Sequence, residues 1–260
     1  MTDFYPHVYL SPHLDDAVLS CGGLIHQQVV AGQRPLVVTI FAGTPPHDEE
    51  LSDFARFLHE RDRNPDLVTA RLAEDQAALA VLGADYLRLA YPDCIYRGRP
   101  HAGEVYYPSG EALFGAVHPA EAGLPDELAA ALAELVPAGA GVTLYAPLTV
   151  GNHVDHQLTF AAARILAGQG WKVRFYEDYP YVEREEGALA AALAARGIGD
   201  WQPAAYPLDE DDLAAKIEAI ACYRTQVAVL FDGAEAMPGR VRAYAARVGG
   251  ERLGALQPGV

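Results

Sequence analysis

Two short runs hold residue types that do chemistry together. Ser11-Pro12-His13-Leu14-Asp15-Asp16 sets a histidine beside two carboxylates, and Gly151-Asn152-His153-Val154-Asp155-His156 sets two histidines around a third. Each run follows a short apolar segment and precedes one of helical period. Alone, either run has a plainer reading, a carboxylate capping the next helix beside a surface histidine. Read together, they bring His13, Asp16, His153 and His156 into one cleft if the two preceding strands are neighbours. Two imidazoles and one carboxylate from such a cluster form a catalytic zinc site with a position left for water, and one more carboxylate is then left over to take a proton. That combination is what metal-dependent hydrolysis requires.

The elements that must position these residues alternate between short β-branched runs and longer segments of helical period, the pattern of parallel strands joined by helical crossovers. His7–Ser11 and Pro35–Ala42 read as strands, with a helix between them that Gly32 stops. Arg71–Leu82 reads as a helix, Asp85–Leu89 as a strand and Asp126–Val136 as a helix. Val142–Leu148 reads as a buried strand, His156–Ala167 as a helix, Trp171–Tyr176 as a strand and Asp211–Val227 as one long late helix. The expected fold is a single α/β domain with a Rossmann-like, mostly parallel sheet and helices on both faces. Thr44–Pro65 and Tyr91–Pro119 resist regular assignment. Loops of that length in a compact domain are often functional.

Composition narrows the function class. The 260 residues are 51% hydrophobic with a formal charge of −16, a field that repels phosphate backbones and anionic membranes and excludes nucleic-acid binding. No apolar stretch approaches a membrane span, and no basic, apolar leader opens the chain. Cys21, Cys94 and Cys222 follow no spaced pattern, which suits a reducing compartment and three small hydrophobes. The reading is a soluble cytoplasmic protein; its oligomeric state is not legible.

SPHLDD followed by AVLSCGG, and later HVDH after a strand, resemble the PIG-L/LmbE-like family of zinc-dependent de-N-acetylases, whose signatures are P-H-x-D-D and a later H-x-D-H. The resemblance continues more weakly through Arg71-x-x-Glu74, the LGAD and YPD segments and Lys216–Gln226. It is strongest over residues 7–227 of a single domain spanning 1–260, with 228–260 as a C-terminal extension. Many members carry Glu after the two aspartates where this chain has Ala17, which leaves the subgroup and its substrate open.

The resemblance implies His13, Asp16 and His156 as ligands to Zn²⁺, Asp15 as general base and His153 as a transition-state stabiliser. Asp155 is expected to orient His153 or another imidazole, or to cap a helix. Arg71 and Glu74 stand one turn apart, so an ion pair between them is the default, while the resemblance implies that Arg71 reaches the substrate. Asp93, in YPD, is placed at the cleft edge as a second substrate-binding candidate. His101 and His118 are expected in solvent, and His26, His47 and His59 match no second cluster. Tyr91, Tyr96, Tyr106, Tyr107, Tyr179 and Tyr181 could form a sugar-stacking wall or anchor their loops.

The implied reaction removes an N-acetyl group from a small N-acetylglucosamine-type derivative, leaving acetate and a free amine. Two other classes share the residue types. His13-Leu14-Asp15 and His153-Val154-Asp155 each contain the H-x-D of a non-haem Fe(II) oxygenase, but those motifs belong on jelly-roll strands. A non-catalytic metal-dependent binding module would leave Asp15 without a task.

Overall fold

Tyr9, Val37 and Tyr145 point to one face of a central sheet, while Val8, Leu10, Leu36, Val38, Leu144 and Ala146 point to the other, and both sets are buried. That alternation is why these strands read as unbroken apolar runs: each face is covered by helices. The computed structural model describes residues 4–45, 51–61, 67–136 and 141–256. His47 lies outside them.

In chain order the elements are β1 (His7–Ser11), α1 (Asp16–Val30), β2 (Pro35–Thr39), α2 (Asp53–Arg61), α3 (Leu67–Leu82), β3 (Asp85–Arg88), β4 (Gly98–Arg99), β5 (Glu104–Val105), α4 (Gly110–Leu113) and α5 (Leu124–Leu135). The chain continues through β6 (Thr143–Pro147), α6 (Val154–Gly168), β7 (Lys172–Tyr176), α7 (Tyr181–Arg184), α8 (Ala188–Ala195), β8 (Ala204–Tyr206), α9 (Glu210–Ala221), α10 (Arg224–Leu230), α11 (Met237–Val248) and β9 (Glu251–Gly254). The sheet order is β3-β2-β1-β6-β7-β9-β8, with β4 and β5 pairing separately. Its first five strands run parallel; β9 pairs antiparallel with both β7 and β8. Helices α5 and α6 cover one face, and α1, α3 and α9 the other.

The chain winds outward from β1 through β2 to β3, then returns to the other side of β1 as β6. The topological switch point therefore lies between β1 and β6, where the loops leaving two adjacent parallel strands diverge and open a crevice. Helix α1 comes close to its neighbours because it carries Gly22-Gly23: a Cβ on Gly23 would lie 2.4 Å from Leu208 Cδ1. No helix among the described residues is long and apolar enough to cross a membrane.

Three local expectations need correction. Asp53–Arg61, inside a stretch that resisted assignment, is helical, with Ala55 fully buried and the Ser52 hydroxyl accepting from its amide. The long late helix is two, broken at Cys222–Tyr223. Tyr223 leaves helical geometry at ψ 60°, and its hydroxyl donates to the buried Asp75. Helix α6 starts at Val154 rather than His156, so Asp155 and His156 both occupy its first turn. Beyond residue 227 the chain returns to the sheet as β9.

Candidate active site

The loop after β1 is held by its own polar side chains. Ser11 Oγ donates to His13 O and accepts from Ala17 N, and His13 N donates to Asp16 Oδ2 at 2.8 Å. The loop after β6 turns through three left-handed residues, Thr149, Gly151 and Asn152. A Cβ on Gly151 would meet the Tyr181 ring at 3.1 Å, so glycine serves both the turn and the close approach. Asn152 Nδ2 bridges to the carbonyls of Phe114 and Gly115 and ties this turn to the 91–119 stretch. His153 is the N-cap of α6, its Nδ1 accepting from Asp155 N at 3.2 Å. The capping expected of a carboxylate is done by an imidazole.

The crevice brings both runs together. Asp16 Oδ2 lies 3.3 Å from His13 Nδ1 and 3.3 Å from His156 Nε2. The far nitrogen of each ring meets a second carboxylate: His13 Nε2 is 2.9 Å from Asp155 Oδ2, and His156 Nδ1 is 2.7 Å from Asp178 Oδ1. Asp178 also accepts from Val150 N at 2.8 Å, which fixes it to the β6 loop. Asp155 is wholly buried, ion-pairs with Arg97 at 2.6 Å, and orients His13 rather than His153. Asp15 sits beside Asp16 with Arg71 Nη2 3.7 Å away, and Asp93 lies 3.7 Å from His13 Nε2.

This donor set fits a divalent cation. Ligand atoms about 2.0–2.1 Å from a tetrahedral zinc stand roughly 3.3–3.4 Å apart, the spacing Asp16 keeps to both imidazoles. Five carboxylates, Asp15, Asp16, Asp93, Asp155 and Asp178, face this centre against the guanidinium groups of Arg71 and Arg97. Without a metal that excess is balanced by protons on His13 and His156, both held well above the usual imidazole range, and a divalent cation would take their place. Among the described residues, the sets whose donor atoms all lie within 4.8 Å of one another are different ones: His13, His153 and His156; Cys94, His153 and Asp155; His13, Asp93 and Asp155. They are weaker because His153 Nδ1 is used as a cap, which puts the proton of the neutral ring on Nε2 and makes that atom a donor. Asp155 is likewise committed to His13, Arg97 and Cys94 N.

The electrostatics separate the two adjacent aspartates. Burial works against the charge on Asp16, but His156 and His13 outweigh it and hold the carboxyl well below the usual range. Burial and the Asp16 charge push Asp15 up, opposed by Arg71 and His13. His156 would be lowered by burial, yet Asp16 and Asp178 push it to about 10. His153 has no such carboxylate in contact; burial and the neighbouring His13 bring it down to about 3. The arrangement thus offers a cation site, a carboxylate of raised basicity and a neutral imidazole donor.

Around this centre opens a cleft of about 540 Å³. Arg71 and Asp93 line it beside His13, Asp15, Asp16 and His153, and Phe57, Leu58, Phe114 and Leu230 form an apolar side. The expected Arg71–Glu74 pair is not the one formed: Glu74 accepts from Thr225 N and Oγ1, leaving Arg71 to the cleft. Asp93 also caps a short turn, accepting from Ile95 N. Of the tyrosines, Tyr96 and Tyr181 line the cleft, while Tyr107 and Tyr179 are buried. His118 is only half-buried in solvent terms; its ring stacks on Tyr106 at 4.2 Å and its Nδ1 accepts from Ala120 N. His101 is exposed, His26 meets Asp212, and His59 bonds Tyr96.

Sequence reasoning missed Asp178, Arg97 and Glu121. For Asp178 a signal existed, since Glu177-Asp178 follows β7, the next parallel strand, at the same sheet edge.

The sequence pattern of the PIG-L family, described as GlcNAc-PI de-N-acetylase, matches residues 8–167. The chain is 30% identical over 186 residues to 2'-N-acetylparomamine deacetylase of Niallia circulans, a stretch covering 67% of this chain and 66% of that protein. It is 32% identical over 185 residues to 2'-N-acetylparomamine deacetylase of Streptomyces fradiae, covering 68% and 58%. The matched region thus spans somewhat under two thirds of these relatives. Among solved structures, the zinc-inhibited form of teicoplanin deacetylase Orf2 superposes with a TM-score of 0.79 at 25% identity, covering 97% of this chain and 99% of that one.

Proposed function

From membership of the PIG-L family, to which this chain belongs, we propose a metal-dependent amide hydrolase that removes an N-acetyl group from an amino-sugar derivative, releasing acetate and a free amine. The observation that carries the reading is the Asp16 oxygen set 3.3 Å from both imidazoles, with a second carboxylate and a neutral histidine beside it. His13, Asp16 and His156 hold the cation, and their two nitrogens and one oxygen suit Zn²⁺. When bound, the ion polarises the acetamide carbonyl and acidifies water.

The chain's own residues do the rest. Asp15, raised in basicity by burial and by Asp16, accepts the proton of the attacking water and passes it towards the leaving nitrogen. His153 presents Nε2–H to the oxygen that gains charge in the transition state. Arg71 and Asp93 bind hydroxyls or the amide of the sugar at the rim. The substrate is a small molecule carrying an N-acetylglucosamine-type unit, a reading supported by the family's description as GlcNAc-PI de-N-acetylase and by relatives named for the deacetylation of 2'-N-acetylparomamine. Three free cysteines accord with a reducing cytoplasm.

The test is a panel of N-acetylated amino sugars with polar, cationic and aromatic aglycones, incubated with zinc-loaded protein and assayed for acetate and primary amine. Equimolar release from at least one member, abolished by chelator and restored by zinc, is expected. Absence of release from every member would overturn the reading.

A further inference from the structure

Arg97 is buried in a loop to which no sequence motif assigns a task, and its side chain is only 6% exposed. Its guanidinium joins two carboxylates, with Nη2 2.6 Å from Asp155 Oδ1 and Nε 2.6 Å from Glu121 Oε1. Nη1 donates to Pro92 O, and the group lies over the rings of Phe41 at 4.8 Å and Tyr107 at 5.5 Å. Glu121 is fixed in turn by the Tyr107 hydroxyl, which accepts from His118 N. Arg97, Asp155, Glu121 and Tyr107 are all buried, so each charge depends on the next for its partner.

The outer end of the chain is the fold of the 91–121 stretch. Its inner end is Asp155, whose other oxygen meets His13 Nε2 at 2.9 Å while His13 Nδ1 faces Asp16. We propose that Arg97 is a positioning residue for the metal centre: by anchoring Asp155 to Glu121 it fixes the plane and tautomer of His13, and so couples the 91–121 stretch to metal affinity. This rests on His13 being a metal ligand as read above. The ring of a ligating histidine is set by the acceptor on its other nitrogen, and such acceptors are commonly worth 10–100-fold in metal affinity. The acceptor here is hydrogen-bonded through Oδ2 to His13 and Cys94 N, while its Oδ1 meets, among the described residues, the Arg97 ion pair. Losing Arg97 frees Asp155 to rotate and strands a buried carboxylate.

The experiment measures Zn²⁺ affinity by chelator competition, without substrate, in the full chain and in Arg97→Met, Arg97→Lys, Glu121→Gln and Asp155→Asn. Arg97→Met should weaken zinc by roughly tenfold. Arg97→Lys should restore part of that loss, and Glu121→Gln, which removes only the anchor's charge, should give a smaller shift of the same sign. In the Asp155→Asn background Arg97→Met should add little, because the path to His13 is already cut. A merely structural Arg97 would lower the unfolding temperature of the metal-free protein in every background and leave zinc affinity unchanged. That outcome, or an equal loss with and without Asp155, overturns the proposal. If Arg97→Met does not fold, Arg97→Lys and Glu121→Gln carry the test, and unchanged zinc affinity in both overturns it. Since no substrate is used, failure of the deacetylase reading leaves the result standing.

Discussion

Asp15 and Asp16 are adjacent in the chain and equally buried at 6% exposure, yet they are driven in opposite directions. Asp16 has two imidazoles against one oxygen, which stabilise its charge far more than burial opposes it. Asp15 is pushed up by burial and by the like charge of Asp16, and the Arg71 guanidinium 3.7 Å away opposes that rise without cancelling it, so its basicity rises. The proposed function rests on this difference, with Asp16 assigned to the ion and Asp15 to the proton. Asp15→Asn should therefore bind zinc normally while kcat falls roughly 10²–10⁴-fold, the usual worth of a positioned base. Metal analysis alongside steady-state kinetics checks this, and near-normal turnover in the zinc-replete variant would place the base elsewhere. Asp178 acts at one remove, fixing His156 through Nδ1 and the β6 loop through Val150 N. Asp178→Ala should weaken zinc by roughly 10–100-fold in chelator competition, with residual activity recovered at high zinc. Activity that stays low at saturating zinc would show that Asp178 does more than hold its histidine.

At the scale of elements, the parts legible in sequence are those whose evidence is contiguous. The PHLDD and HVDH runs each sit within one turn of chain between a strand and a helix, so residue types, spacing and sheet edge could be read together. Arg97 and Glu121 were not legible because an isolated charge carries no pattern; only the fold shows that it is buried and what faces it, whereas Asp178 had its place directly after a parallel strand as a signal. The break between α9 and α10 was hidden for a related reason. Residues 211–227 keep a helical period, but Tyr223 is pulled out of it by Asp75, 148 positions away. Asp75 joins three elements, since Arg88 at the end of β3 also pairs with it at 2.7 Å. Burial raises its carboxyl to about 6 against the pull of Arg88 and Tyr223. A carboxyl raised from 3.8 to about 6 on folding contributes most below the unfolded value and loses that contribution as pH rises through the folded one. In the metal-free protein, stability relative to Asp75→Asn should thus fall between pH about 4 and about 7, by up to about 3 kcal/mol. Urea midpoints across that range check the difference, and parallel pH curves for the two proteins would mean that Asp75 stays charged throughout.

At the scale of the whole molecule, strand β9 reaches back to helices α1 and α9. Glu251, in β9, accepts from Gly23 N and Leu24 N of α1 and from Lys216 Nζ of α9, at 2.9, 2.8 and 2.7 Å. The sequence hid this closure, because ERLG is a short, half-polar run with none of the apolar continuity that marked the inner strands. Helix α1 begins at the loop that carries His13 and Asp15, so strand β9 helps to hold the helix on which Asp16 stands. Lys216 and Glu251 are 4% and 2% exposed, and removing one partner of such a pair leaves a buried charge alone, at a cost of about 3–5 kcal/mol. Glu251→Leu and Lys216→Met should each lose about that much in urea unfolding. The double variant should recover part of it, because two apolar groups leave no stranded charge. Recovery should stop short of the original stability, since without Glu251 the amides of Gly23 and Leu24 lose their shared carboxylate whichever residue stands at 216. The size of that remainder measures the backbone anchor separately from the ion pair. Additive losses in the double variant would show that the two residues act independently, and full recovery would show that α1 does not depend on the terminal strand.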